Sequence, residues 1–352
     1  MKNKIIIPTG YMGSGSSAVT DLLCEVEGYS ARHGSYEYVF MHCPNGIFDL
    51  EDKLLYGNNC TRSDEALHSF YYCMEELYSE RTWWFADYKH KINNDFMKYC
   101  NEYMEDLIDK KMPDNFWYYQ ERIPGPNRFE RLINKIYYKL FRKKKSKRKL
   151  LYKGMWLSFP NENEFYEKTK IFLNKIFIAM GIEHQNLILD QLLLSHNVYR
   201  VNNYFDENCK VIVVDRDPRD VYILNKYFWK QLNTPVPFPY DVESFCLYYE
   251  KMRKSEKIVP NDMVLRIHFE DLVYHYYDTK KIIFEFIGIN DCDHKKQFTR
   301  LVPEKSMLNT QLYNRNCRYV DEAKYIEKHL KEYIYNFPID KYEKILNEDV
   351  IL

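Results

Sequence analysis

Ile5-Ile-Ile-Pro-Thr-Gly-Tyr-Met-Gly-Ser-Gly-Ser-Ser-Ala-Val-Thr-Asp-Leu-Leu23 reads as a buried strand, a glycine-rich turn and the start of a helix. Three consecutive isoleucines suit a strand covered on both faces. Gly10, Gly13 and Gly15 allow a tight turn and close backbone approach, and Ser16 and Ser17 add hydroxyls at the helix N-terminus. This layout presents a row of backbone N–H groups to an anion at the positively polarised end of a helix. An anionic nucleotide is therefore the first ligand to look for. The plain alternative is a turn that merely joins strand to helix, since glycine motifs are loose.

Working outward, the 352 residues suffice for one large α/β domain with insertions or for two smaller domains. Lys plus Arg and Asp plus Glu stand at 51 each, so global charge gives no reason to expect nucleic acid as a partner. Glycine is scarce, at 11 against 33 Tyr and 21 Phe, which makes the clustering in the first loop stand out. Nine cysteines without a C-x-x-C pair read as free thiols in a reducing compartment, and no zinc-type spacing calls for a metal. The N-terminus shows no apolar run long enough for a signal peptide or a membrane span, so a soluble cytoplasmic protein is expected.

Along the chain, Ser17–Glu27 is predicted as the first helix, ended near Gly28. Tyr36–Met41 has strand composition, with Glu37 as an acid inside it. Pro44-Asn-Gly46 turns into a helix entry at 47–51. Residues 61–122 predict two or three amphipathic helices, whose His68, His90, Trp83, Trp84 and Trp117, like His42, are better explained by packing or exposure than by chemistry. Pro124-Gly-Pro126 breaks the chain before an amphipathic stretch over 128–151, which carries Phe129, Leu132, Ile133, Ile136, Tyr137, Leu140 and Phe141. Seven of the eight residues Arg142–Lys149 are cationic. Such a block usually stays solvated; the sharper alternative is peripheral contact with an anionic membrane surface, the inner face of the cell membrane, or with an acidic polymer.

From Asn161 the rhythm becomes helix, strand, helix, strand. Asn186–Asp190 and Cys209–Asp215 suit buried parallel strands. The second runs directly into Arg216-Asp-Pro-Arg-Asp-Val-Tyr222, where Pro218 can open a helix and charge gathers at the strand's carboxyl end. Met263–Phe269 gives a last strand, followed by a helix over 278–287 stopped by Gly288. No repeat is present. The alternation predicts one α/β domain over 1–352, doubly wound, with helical insertions at about 61–122 and 128–181.

In the phosphate loop of nucleoside triphosphatases the pattern is G-x-x-x-x-G-K-[ST]; Gly10, Gly15 and Ser17 fit, but Ser16 stands at the lysine position. That substitution disfavours a P-loop kinase. Ser14-Gly15-Ser16-Ser17 after the first strand, Arg216-Asp-Pro-Arg-Asp-Val221 on leaving a later one, and Arg266-x-x-x-Glu-Asp-Leu272 at the last resemble the sulfotransferases that use 3′-phosphoadenosine 5′-phosphosulfate (PAPS). The resemblance implies a P-loop-like three-layer fold with a central, mostly parallel sheet and large helical insertions. It also implies transfer of a sulfuryl group to a hydroxyl, with adenosine 3′,5′-bisphosphate as product and no metal. Gly13, Ser14, Gly15, Ser16 and Ser17 would hold the 5′ end, and the forked guanidinium of Arg216 the 3′-phosphate.

The same resemblance implies that Glu37, in Glu37-Tyr-Val-Phe40, is the general base, as in heparan-type members; His42 and Asp190 are fallbacks. It points to a carbohydrate or glycoconjugate acceptor in polysaccharide biosynthesis. Two positions depart from the family. Gly13 stands where a Lys or Arg usually neutralises the leaving group, and Arg32, Lys153 or Lys226 would have to replace it. Leu224 stands where a serine is usual, and Asn225 or Tyr222 would substitute. Ser306 and Asn309 are expected in the same pocket. Those departures keep open a catalytically silent nucleotide- or glycan-binding protein of the same fold.

Overall fold

In a computed structural model, residues 3–34, 36–113, 127–140, 154–230, 236–258 and 260–338 are described. Arg142–Lys149, Lys153, Trp117 and the break at Pro124–Pro126 lie outside the described residues. The chain divides into two compact units: one formed by residues 1–39 and 177–352, the other by residues 40–176.

The first unit begins with β1 (Ile5–Gly10), α1 (Ser16–Cys24) and the short β2 (Tyr29–Ser30). The second unit follows, with α2 (Ile47–Leu55), α3 (Cys60–Ser79), α4 (Tyr88–Lys91), α5 (Phe96–Leu107), β3 (Lys110–Met112), α6 (Asn127–Leu140), β4 (Met155–Leu157) and most of α7 (Glu162–Ala179). Back in the first unit the chain forms β5 (Asn186–Ile188), α8 (Val201–Tyr204), β6 (Cys209–Asp215), α9 (Pro218–Ile223), α10 (Val242–Ser255), β7 (Val264–His268), α11 (Phe269–Tyr274), α12 (Tyr276–Ile287), α13 (Pro303–Ser306) and α14 (Val320–His329).

The first unit is an α/β fold around a five-stranded sheet of order β2-β5-β1-β6-β7, parallel throughout. Strands β1 and β6 pair over six positions, from Ile5 with Cys209 to Gly10 with Val214. On one face Ile6, Ile188, Ile212, Val214 and Ile267 pack against Val19, Leu22 and Leu23 of α1 and Ile283, Phe284 and Ile287 of α12. Ile7, Val211 and Val213, alternating with these, are buried as well. Both faces of the central strands are covered, which explains their unbroken apolar sequence. With β1 and β6 adjacent at the centre, the carboxyl ends of β1, β5, β6 and β7 converge on one edge, where open parallel sheets bind ligands.

Local signals act where the sequence places them. Pro218 opens α9 with Asp217 as N-cap, its side chain accepting from Arg219 N, and Gly288 closes α12 at φ 77°. One expected element is absent. Residues 36–39 form no strand; Tyr38 N donates instead to Asp190 O at 3.0 Å, and the strand that completes this side of the sheet is the two-residue β2. Burial of Tyr36, Tyr38 and Val39, not a pleat, accounts for their apolar character.

The second unit is mainly helical, with β3 and β4 as an antiparallel pair. Its core is aromatic: Tyr103 stacks on Phe172 at 4.6 Å, and Phe70 meets both edge-on. Buried His68 stacks on Trp156 at 3.8 Å and pairs with Asp64, in keeping with a packing role.

Candidate functional site

The loop between β1 and α1 is shaped by glycine. Gly13 and Gly15 lie at φ 86° and 87°, the left-handed region that favours glycine. A Cβ on Gly15 would stand 2.6 Å from the Phe269 ring, and one on Gly10 would stand 2.1 Å from Ser14 Oγ and 2.6 Å from Val214 O. The loop is thus pressed against the ends of β6 and β7. Gly15 is the N-cap of α1 and supplies no side-chain cap, so the first N–H groups of the helix remain open to an anion. Ser14 Oγ is buried and without a hydrogen-bond partner among the described residues. Ser16 Oγ accepts from Gln191 Nε2 at 3.3 Å, Gln191 in turn accepting from Thr9 Oγ1 at 2.9 Å, while Ser17 is exposed.

At the end of β6, Arg216 is 5% exposed and reaches across to the loop. Its Nη1 donates to Gly13 O at 2.8 Å, its Nη2 donates to Asn309 O, and its guanidinium lies 4.9 Å over Phe269. The turn that carries it is braced from β7. Arg266 Nη1 pairs with Asp215 at 2.8 Å, and Glu270 Oε1 accepts from Asp217 N at 2.9 Å. The late Arg-x-x-x-Glu-Asp-Leu signature therefore holds the flanks of Arg216.

Arg219 is spent internally, its Nε and Nη2 gripping the two oxygens of Asp217 at 3.0 and 2.8 Å. Asp220 accepts from Gln311 N and Leu312 N, both at 2.8 Å, fixing the segment just beyond Asn309. Burial raises Asp220 to about 7 and Glu270 to about 8.

After α9 the chain widens into a π-helical turn over Leu224–Trp229, a departure that recurs at functional sites. The wide turn brings Asn225 and Trp229 to the loop: a Cβ on Gly13 would lie 3.4 Å from Asn225 Nδ2 and 3.4 Å from the Trp229 ring. Asn225 Nδ2 donates to Val221 O at 2.8 Å, whereas its Oδ1 is buried without a partner among the described residues. Tyr222 turns elsewhere, its hydroxyl lying 2.8 Å from Tyr240 O and 2.9 Å from Glu322, the two acceptors open to its one proton. Lys226 pairs with the same Glu322, so it is engaged away from the loop. Arg32 is exposed, its Nη1 donating to Ala179 O at 3.5 Å. Arg216, not one of the three cations nominated from sequence, is the cation bonded to the Gly13 backbone.

Two acids lie close by: Asp190, just past β5, and Glu37, on the segment whose Tyr38 N donates to Asp190 O. Asp190 is 3% exposed; its Oδ2 accepts from Thr20 Oγ1 at 3.3 Å, and its Oδ1 has no partner among the described residues. Burial, with the nearby charge of Glu37 second, raises it to about 7. Glu37 is partly buried and also raised to about 7, by loss of hydration. A carboxyl whose proton affinity is raised by burial can take up a proton near neutral pH. His42 belongs to the second unit. Ser306 ends α13, its N–H donating to Val302 O at 3.0 Å, and Asn309 follows one turn later.

No protein-family profile matches the chain, and no curated protein matches it. Among the solved structures similar to it are sulfotransferases. The sulfotransferase domain from the curacin biosynthetic pathway is 11% identical at a TM-score of 0.38, covering 96% of this chain and 99% of that one. The sulfotransferase domain from the Synechococcus PCC 7002 olefin synthase is 13% identical at 0.38, over 96% and 98%. Sulfotransferase STF9 from Mycobacterium avium is 10% identical at 0.36, over 94% and 76%. At these values the site has to be read from its own residues.

Several of those residues keep a buried polar atom unsatisfied. Ser14 Oγ, Asn225 Oδ1, Asn309 Oδ1 and Arg216 Nε are all buried and all without partners among the described residues, where folded proteins satisfy nearly every such atom. The sequence singled out Ser14, Asn225, Asn309 and Arg216; the bracing by Asp215, Asp217 and Asp220 was not foreseen, although the repeated aspartates of Asp215–Asp220 were its visible trace.

Proposed function

We propose that this protein is a PAPS-dependent sulfotransferase acting on a hydroxyl of a sugar or glycoconjugate. The observation that carries the reading is the set of buried, partnerless polar atoms around Gly13–Ser17 and Arg216, which fits a ligand with anionic groups at both ends of one nucleoside. PAPS supplies an activated sulfuryl group whose transfer leaves adenosine 3′,5′-bisphosphate.

The N-terminus of α1, Ser14 and Ser16 bind the 5′ end, and Arg216, Asn225 and Asn309 bind toward the 3′ end, with Ser306 one turn before Asn309. Glu37 takes the acceptor hydroxyl's proton as its oxygen bonds to sulfur and the bond to the departing phosphate breaks. Burial raises the proton affinity of Glu37 to near neutrality, where it can accept that proton. Position 13 disfavours a lysine through its φ of 86°, so charge on the departing 5′ group falls to the N–H groups at the start of α1.

Thermal-shift titration with adenosine 3′,5′-bisphosphate, ADP and ATP, each with and without Mg²⁺, tests the nucleotide assignment. Ligand at about a hundred times its dissociation constant adds about 2.7 kcal/mol. The bisphosphate is expected to stabilise without metal; a response to ATP with Mg²⁺ alone would overturn the proposal in favour of a kinase. Bisphosphate binding with no turnover of labelled PAPS on any glycan offered would leave a silent binding protein of the same design.

A further inference from the structure

Helix α6 offers to solvent the face that helices normally bury. Phe129, Leu132, Ile133, Ile136, Tyr137 and Leu140 follow the spacing i, i+3, i+4, i+7, i+8, i+11, which at 100° per residue confines them to an arc of about 140°. All six are between 49% and 72% exposed. Singly exposed apolar residues need no explanation, but six large ones on one stripe mark an interaction surface.

Charge selects the occupant. The helix sequence carries Arg128, Arg131, Lys135 and Lys139 against the single acid Glu130, and the chain continues with seven cations in the eight residues 142–149. A second copy of this chain would cover the apolar stripe while bringing like charge to like. An acidic polymer would satisfy the cations and leave the stripe wet. An anionic lipid surface answers both, with acyl chains for the stripe and headgroups for the cations. At 14 residues the helix is about 21 Å long, shorter than the ~30 Å hydrocarbon core. It is suited to lie in the interface, and among the described residues no helix is long and apolar enough to cross a membrane.

We propose that α6 is an interfacial anchor which holds this protein on anionic membranes, apolar stripe inward. This assignment is independent of the nucleotide site.

Co-sedimentation of the full chain with vesicles of phosphatidylcholine alone, or with about a third phosphatidylserine, at physiological salt tests it. The chain should pellet with the anionic vesicles and much less with the neutral ones. Each cation at such a surface is worth about fivefold in partitioning, so K143Q/K144Q/K145Q/K147Q together should lose a few hundredfold. I133E/I136E should abolish pelleting while leaving the circular-dichroism melt unchanged, since both positions are exposed. Ile136→Trp should show blue-shifted emission, quenched by brominated acyl chains, on anionic vesicles. Failure of the full chain to pellet would overturn the proposal. So would pelleting unchanged in I133E/I136E, which would reduce the effect to charge alone, or a dimer in vesicle-free solution that the same double variant dissociates.

Discussion

Exchanging Glu37 for Gln should raise stability while it removes turnover. Burial lifts the Glu37 carboxyl from its ordinary 4.5 to about 7, so the folded chain holds this proton more tightly than the unfolded chain does. The stabilisation this represents is complete below pH 4.5 and is lost as pH rises through 7. With each tenfold in proton affinity worth about 1.4 kcal/mol, the raised affinity costs the folded chain roughly 1 kcal/mol near pH 5, where the carboxyl ionises only in the unfolded chain, and roughly 3 kcal/mol by pH 8.5, where the buried group is ionised too. Glutamine is neutral throughout and escapes that cost. Urea unfolding of both proteins should therefore show the variant gaining about 2 kcal/mol on the wild type between those pH values. Turnover of labelled PAPS by the wild type should climb with pH through about 7 as the base ionises, and the variant should fall by about 10²- to 10⁴-fold. A stability difference independent of pH would refute the buried-carboxyl reasoning. Undiminished turnover would remove Glu37 as the base, whatever its stability effect.

Four further outcomes are expected. Gly15→Ala, which drives a Cβ to 2.6 Å from Phe269 at φ 87°, should lower the unfolding midpoint and abolish the thermal shift with adenosine 3′,5′-bisphosphate; a wild-type shift would mean the loop is not the binding element. Arg216→Ala should weaken that ligand about 10- to 100-fold by calorimetry, the range of a lost charge-assisted contact, and unchanged affinity would remove its role. Asn225→Ala should weaken it measurably whereas Tyr222→Phe should not, because only Asn225 stands beside Gly13; the opposite ranking would place the missing serine's substitute at Tyr222. Lys226→Gln should lose the Glu322 pair and shift the melt while leaving nucleotide affinity intact, and a loss of affinity would make it the missing loop cation.

Much of the sheet was legible because its strands are buried on both faces. Cys209–Asp215 and the strand ending at His268 stand out as apolar runs bounded by charge, and the alternation with helices points to parallel pairing, while the order β2-β5-β1-β6-β7 leaves no local signal. The second strand was not legible. Tyr29–Ser30 is too short to show a period, and the neighbouring Tyr36–Met41 imitated a strand because its side chains are buried among aromatics. The boundary between the two units also leaves no mark, since one crossing falls within α7 and neither carries a Pro- or Gly-rich linker.

At the site, the resemblance nominated Ser14 and Arg216, and Asn225 as a substitute for the usual serine; Arg216 and Asn225 both lie beside Gly13. The π-helical turn that delivers Asn225 was invisible, because a single widened turn has no sequence period. Asp190 was weighed as a base from its place at a strand end; its nearness to Glu37 depends on a non-local contact between residues 38 and 190 that no local pattern encodes.

The grip of Arg216 on Gly13 O and Asn309 O has a consequence for which molecules this site will admit. Two donors already satisfied by backbone oxygens have nothing to gain from a neutral ribose, and displacing either bond for it would leave a carbonyl stranded. A phosphate repays the exchange, because its charged oxygens bind a guanidinium more strongly than a peptide oxygen does. On the proposed function, the resting contact would work as a threshold against nucleosides and single-ended nucleotides. The steepness of that threshold is measurable as the ratio of affinities for adenosine 3′,5′-bisphosphate and adenosine 5′-phosphate, and it should collapse when Arg216 is replaced.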